Sequence, residues 1–247
     1  MLSNLLLLFG LPFFAGIFAI KIKKPLKDQV QLLLAFSGAF LFSITVTHLI
    51  PGLFGDHHHG HDHKSDGLGL YILLGFLLQL ILDFLSKGVE HGHMHPPETK
   101  KNTFVFSIMT GLCLHAFIEG IPLGLEPSET YINFYPLLWG IILHKIPAAF
   151  VLGLLLSGMQ IRFMTTLILV GLFCLMSPLS LFGGQIFQSN EFLQETTLVF
   201  LAVVCGSFLH ISTTILLESG SNLHTISWLK LVVIVAGCAL ATLFHFI

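Results

Sequence analysis

The chain has 247 residues; 54% are hydrophobic, 24 are Phe and only 10% are charged, with a mean hydropathy of +0.88. Soluble domains carry roughly 25% charged residues, so this chain cannot dress a water-facing surface of its size. A net charge of −2 excludes a nucleic-acid binder, which needs a basic excess, and the hydropathy excludes a disordered chain. Four scattered cysteines exclude a disulfide scaffold. What remains is a multi-pass membrane protein.

A spanning helix needs about 20 mostly apolar residues. Eight such runs occur, at about 4–20, 30–54, 68–86, 103–125, 132–157, 163–187, 196–217 and 226–247. The predicted fold is therefore all-α and polytopic, one eight-helix transmembrane domain over residues 1–247. The opening MLSNLLLLFG lacks a basic leader and an AxA-like cleavage site, and reads as a retained span. Cys113, Cys174, Cys205 and Cys238 each lie inside an apolar run and read as small apolar fillers.

Basic residues orient the spans. Loops 1, 3, 5 and 7 hold Lys21, Lys23, Lys24, Lys27, Lys87, Lys100, Lys101, Arg162 and Lys230, nine of the eleven. The even loops hold Lys64 against Asp56, Asp62, Asp66, Glu126, Glu129, Glu191 and Glu195. The odd loops are thus expected in the cytoplasm and both termini outside. Lys145 alone falls in mid-span.

Ionisable groups inside the membrane are costly and mark pathways or partners. They concentrate in spans 4 and 5. Span 4 reads GLCLHAFIEGIPLG, with His115 and Glu119 at i and i+4, one turn apart on one face, so that an imidazole and a carboxylate can grip one cation. Span 5 reads WGIILHKIPAAFVLG, with His144 and Lys145. His115 and His144 each lie 12 residues into their span, from opposite sides, and at 1.5 Å per residue both fall near the midplane. Pro122 and Pro147 cannot donate to the carbonyls of Ile118 and Leu143, which leaves acceptor oxygens beside the ligand candidates. A lone buried His or Glu would read as helix–helix glue. Three at one depth, each motif with its proline, read as a metal site.

HAFIEG at 115–120 and HKIPAAF at 144–150 resemble the paired span-4 and span-5 signatures of the ZIP (Zrt/Irt-like) divalent-metal transporters. Eight spans, both termini outside, a His-bearing loop between spans 3 and 4, and HLIP at 48–51 agree with the resemblance, which covers the whole chain. It implies a transporter rather than an enzyme. The implied activity is uptake of Zn²⁺ or a similar divalent ion into the cytoplasm, by alternating access as a bundle containing spans 4 and 5 slides. It implies a cell (inner or plasma) membrane and no prosthetic group; a homodimer is consistent with it.

Two positions depart from members with two adjacent metal sites. Those members carry Asn after the span-4 His and an acid four residues into the span-5 motif; here Ala116 and Ala148 stand there. The HK…AF form resembles the branch that uses one site. The expectation is a single ion on His115, Glu119 and His144, with the Lys145 ammonium near Glu119 in place of a second cation. Two imidazoles and a carboxylate suit Zn²⁺, and also Fe²⁺, Mn²⁺, Co²⁺ and Cd²⁺. Protons compete for the imidazoles, so uptake is expected to weaken as pH falls through roughly 6.5. Equal initial rates at mildly acidic and neutral pH would speak against imidazole ligation.

The loop at 56–66 carries His57, His58, His59, His61 and His63, and the loop at 90–97 carries His91, His93 and His95. This is a metal-binding composition, read either as capture outside and reception inside or as solvated loops that bind metal incidentally. His48 near the outer end of span 2, His210 in the inner half of span 7 and Asp83 near the inner end of span 3 are candidate pathway residues. Interhelical hydrogen bonding and, for Asp83, snorkelling are the rival readings. Gly120 and Gly124 form a GxxxG motif that serves either an internal contact or a dimer. Two other functions use the same ligands: an intramembrane zinc hydrolase, for which there is neither HExxH nor a spare general base, and a metal sensor without flux.

Overall fold

The computed structural model describes residues 2–22, 27–54, 67–89, 101–124, 134–188, 196–218 and 227–243. All regular structure among them is helical. We number the helices α1 (Leu2–Lys21), α2 (Lys27–Ile44, continued to Phe54), α3 (Leu68–Ser86), α4 (Lys101–Gly124), α5 (Phe134–Gly158), α6 (Phe163–Gln188), α7 (Thr197–Glu218) and α8 (Trp228–Leu243). The eight match the eight apolar runs in order. Seven are long and apolar enough to cross a membrane. The described part of α8 is shorter, 16 residues, against an expected span of 226–247. Both histidine loops, and with them His57, His58, His59, His61, His63, His91, His93 and His95, lie outside the described residues.

The interior of α2 changes register at HLIP. Pro51 has no N–H to give to the carbonyl four residues back, at Thr47. The chain answers with a π-helical turn, Thr45–Leu49, in which the Ile50 N–H reaches back to the Thr45 carbonyl, before Ile50–Phe54 resumes the α-helix. The Thr45 and Thr47 hydroxyls donate to the carbonyls of Leu41 and Ser43, both at 2.7 Å, and this competition further loosens the ladder. Such bulges collect at functional positions. This one carries His48, whose Nδ1 lies 2.7 Å from Thr47 Oγ1.

Four helix pairs dominate the packing: α4 with α6, α3 with α7, α1 with α5, and α2 with α8. In lipid no hydrophobic force draws helices together, so close approach rests on small residues. The sequence supplies them at each seam. A Cβ added at Gly206 of α7 would overlap the Ile72 carbonyl of α3, and one at Gly75 of α3 the Val203 carbonyl of α7. Gly153 of α5 stands where a Cβ would come 2.6 Å from Gly16 O of α1, and Gly237 of α8 likewise 2.6 Å from Phe36 O of α2. The Gly120–Gly124 motif is used internally: Gly120 abuts Ser177 and Ser180 of α6, and Gly124 abuts Leu181 and Gly184.

The four pairs are joined to one another by α1–α6, α2–α5, α3–α4 and α2–α7 to a similar extent, and less extensively by α4–α7. The outward faces are large apolar side chains such as Phe14, Leu70, Phe84, Phe106 and Leu217. That surface suits hydrocarbon and not water. Polar residues turn inward: Gln79, His115, Glu119, His144, Lys145, Ser177, Ser207 and His210 are all buried.

Candidate metal centre

Helix α4 places His115 and Glu119 one turn apart on its buried face, with His115 Nε2 3.1 Å from Glu119 Oε1. Helix α5 brings His144 against them, its ring 5.8 Å from that of His115 and nearly perpendicular to it, at 84°. One ligand atom from each of the three residues falls within 4.8 Å of the others, and the residues are 1–2% exposed. Among the described residues no other group of three or more His, Cys, Asp or Glu side chains does this.

The spacing can be compared with what an ion demands. Bond lengths of about 2.0–2.2 Å place two ligands of a tetrahedral zinc about 3.3–3.6 Å apart. The His115–Glu119 pair is at 3.1 Å already. The widest of the three separations, within 4.8 Å, has to close by at most about 1.5 Å, which side-chain rotation supplies. Two nitrogens and one carboxylate oxygen form a borderline donor set suited to Zn²⁺ and neighbouring divalent metals. Three protein ligands leave a coordination position for water, or for a carbonyl such as that of Ile118 or Leu143, which Pro122 and Pro147 cannot engage.

Lys145 stands within electrostatic reach of Glu119, as the sequence reading expected, but one residue along a helix is a turn of about 100°, so its ammonium points off the face that bears His144. Among the described residues, Lys145 makes no ion pair within 4 Å. Its buried ammonium donates to Ser177 Oγ of α6 and lies 4.9 Å from the centre of the Phe173 ring. Ser177 in turn donates to the Ala116 carbonyl at 2.9 Å, and Ser180 to the Ser177 carbonyl at 2.8 Å. Lys145 thereby ties α5 to α6 and, through Ser177, to α4 beside His115. Ala116 and Ala148 are buried and offer no donor to a second ion.

The other expected pathway residues fall into two places. Asp83 of α3 and His210 of α7 come together, Oδ2 to Nε2 3.8 Å, with the Phe76 ring perpendicular to that of His210 and their centres 4.9 Å apart. They were read separately in the sequence, and the α3–α7 seam makes them a pair. His48 stands apart on the π-turn of α2. Sequence reading overlooked Gln79 and Ser207. Gln79 Oε1 lies 2.9 Å from His115 Nδ1 and accepts the Ser207 hydroxyl, also at 2.9 Å. The available signal was a lone amide within LLGFLLQLILDF, one turn before Asp83.

The profile of the ZIP zinc transporter family matches residues 85–245, well over half of the chain and inclusive of His115, Glu119 and His144. The chain belongs to the ZIP zinc transporter family. It is 27% identical over 204 residues to zinc transporter ZIP9 of Micropogonias undulatus, an alignment covering 74% of this chain and 65% of that protein. It is likewise 27% identical over 201 residues to zinc transporter ZIP9-B of Xenopus laevis, covering 74% and 66%. Protein zntC of Dictyostelium discoideum is 33% identical over 132 residues, 52% of this chain and 32% of that one. This ZIP chain thus spans just under two thirds of the ZIP9 relatives it matches.

Proposed function

We propose that this ZIP protein takes up a divalent metal ion, zinc foremost, into the cytoplasm by alternating access, with His115, Glu119 and His144 as the ligands of the transported ion. The observation that carries the proposal is the convergence of these three buried side chains, ligand atoms within 4.8 Å, inside a bundle of apolar helices. A protein that placed such groups there for packing alone would bear the desolvation of a carboxylate beside two imidazoles for no return. Carriage of zinc by the relatives, as their names state it, supports the same ion here. In the proposed arrangement the site lies near the midplane, both termini face outside, and the odd loops face the cytoplasm of a cell membrane. His48 belongs to the outer approach and the Asp83–His210 pair to the inner one. The loops at 56–66 and 90–97 collect and receive the ion. A dimer, if formed, uses a face other than the Gly120–Gly124 motif, which α6 occupies.

The test is zinc accumulation by proteoliposomes of the purified chain. Time-dependent accumulation that cold Fe²⁺, Mn²⁺, Co²⁺ and Cd²⁺ compete for to differing degrees is the expected result and ranks the cargo. Stoichiometric binding without accumulation would make the protein a sensor and sink the transport reading.

A single ion is proposed per site. Ala116 and Ala148 remove the donors a second ion would use, and the buried Lys145 charge, held by Ser177, penalises another cation nearby. Metal analysis of the detergent-purified protein should therefore return one tightly held zinc per chain that is lost in His115→Ala. Two tightly held ions abolished together by that substitution would refute the one-site form.

A further inference from the structure

His115 is held from behind by helices that contribute none of the three ligands. Gln79, in the middle of α3 and 1% exposed, sets its Oε1 2.9 Å from His115 Nδ1. Ser207 of α7, also buried, donates its hydroxyl to the same oxygen at 2.9 Å. On the opposite edge of the ring, Nε2 faces Glu119 at 3.1 Å, in the pocket shared with His144.

This geometry bears on the tautomer. A neutral imidazole has one N–H and one lone pair, and only the lone pair binds metal. Nε2 faces the ligand cluster, so ligation puts the proton on Nδ1, and a buried N–H needs an acceptor. Gln79 Oε1 is that acceptor. With the amide reversed, its NH₂ would seek the lone pair of Nδ1 and place the proton on Nε2, toward the cation. In the orientation the structure records, Oε1 also accepts the Ser207 hydroxyl, which ties the amide to α7. The three residues also come from three different helices, His115 from α4, Gln79 from α3 and Ser207 from α7.

We propose that Gln79, oriented by Ser207, is a positioning residue that holds His115 in its metal-binding tautomer, so that the ligand is fully prepared only while α3 and α7 are docked on α4. The proposal rests on the assignment of His115 as a ligand. It makes the affinity of the site depend on the packing of α3 and α7 against α4, because separating them withdraws the acceptor from Nδ1.

The experiment measures Zn²⁺ dissociation constants of the purified full chain by competition with a chromophoric chelator, and the half-saturating Zn²⁺ concentration in proteoliposomes. Gln79→Met keeps the bulk and removes the acceptor; its dissociation constant should rise between about 10- and 100-fold, the usual effect of losing a partner behind a metal-bound His. KM should rise in parallel, with a smaller change in maximal rate. Gln79→Glu keeps an acceptor for both donors and should restore most of the affinity, a rescue that a packing role alone would not show. Wild-type affinity in Gln79→Met, or Gln79→Glu as weak as Gln79→Met, would overturn the proposal. If Gln79→Met does not purify as a monodisperse species, Ser207→Ala decides: a severalfold weaker constant supports the proposal and an unchanged one overturns it. His115→Ala, measured alongside, separates the two layers. Loss of binding there with an unaffected Gln79→Met defeats the positioning role alone, whereas wild-type binding by His115→Ala defeats the ligand assignment itself.

Discussion

Glu119→Ala lowers zinc accumulation in proteoliposomes by at least about 100-fold, because stranding buried charge without its partner costs roughly 3–5 kcal/mol. Glu119 is the one anionic donor of the cluster, alongside two imidazoles. It is 1% exposed, so no water can replace its charge cheaply. A dication placed against two neutral rings and a methyl group would be left uncompensated in a low-dielectric interior. Glu119→Gln separates charge from coordination: it keeps an oxygen donor and loses the charge, and should fall between Ala and wild type. Initial zinc uptake rates of the three proteins, each verified as monodisperse, check the order. A well-folded Glu119→Ala that transports at the wild-type rate would move the ion's path away from this cluster altogether.

Gly206→Val markedly lowers the thermal stability of the protein. Helices α3 and α7 meet backbone to backbone where Gly206 faces the Ile72 carbonyl and Gly75 faces the Val203 carbonyl. A Cβ at Gly206 would also stand 2.7 Å from Phe76 N, and none of these backbone atoms can rotate aside. Overpacking of this kind costs about 3 kcal/mol or more, which for a chain of this length lowers the melting temperature on the order of 10 °C. The same seam holds Gln79 to Ser207 and Asp83 to His210, so prying it open also unmakes the support of His115. Gly69→Ala in the same helix α3 is the control. Nothing lies within 4 Å of its added Cβ, and helix propensity alone should stabilise it by up to about 1 kcal/mol. Thermal melts in detergent compare the two. Equal melting temperatures for Gly206→Val and wild type would mean that the α3–α7 seam is looser than the structure has it.

The helices were legible because apolar runs of spanning length have few alternatives, and α3 falls on its expected residues, 68–86. The candidate trio was legible for a related reason. In a chain with 24 charged residues, an ionisable side chain inside an apolar run has no solvent to explain it, and HAFIEG sets His115 and Glu119 on one face by helical period alone. The hydrogen-bond partner of Lys145 was not legible because depth along a helix is written in the sequence and direction around it is not, unless a neighbour is known. The neighbour is α6, which offers Ser177 and Phe173. Gln79 escaped notice because a single amide in lipid is most often glue between helices; only its distance to His115 Nδ1 distinguishes it.

The sequence by itself determined that the chain lives in a bilayer, where its helices begin and end to within a few residues, and which three side chains could hold a cation. Those properties depend on local composition and period. Which helices touch depends on glycines that fit only one partner's backbone, such as Gly75 against Val203 and Gly124 against Gly184, and on side chains more than a hundred residues apart, such as Gln79 and Ser207. Only the tertiary structure could decide that Lys145 donates to Ser177 of α6, that Asp83 meets His210, and that α3 and α7 stand behind His115. Pairing in lipid is a matter of steric fit between distant surfaces, and steric fit has no period along the chain.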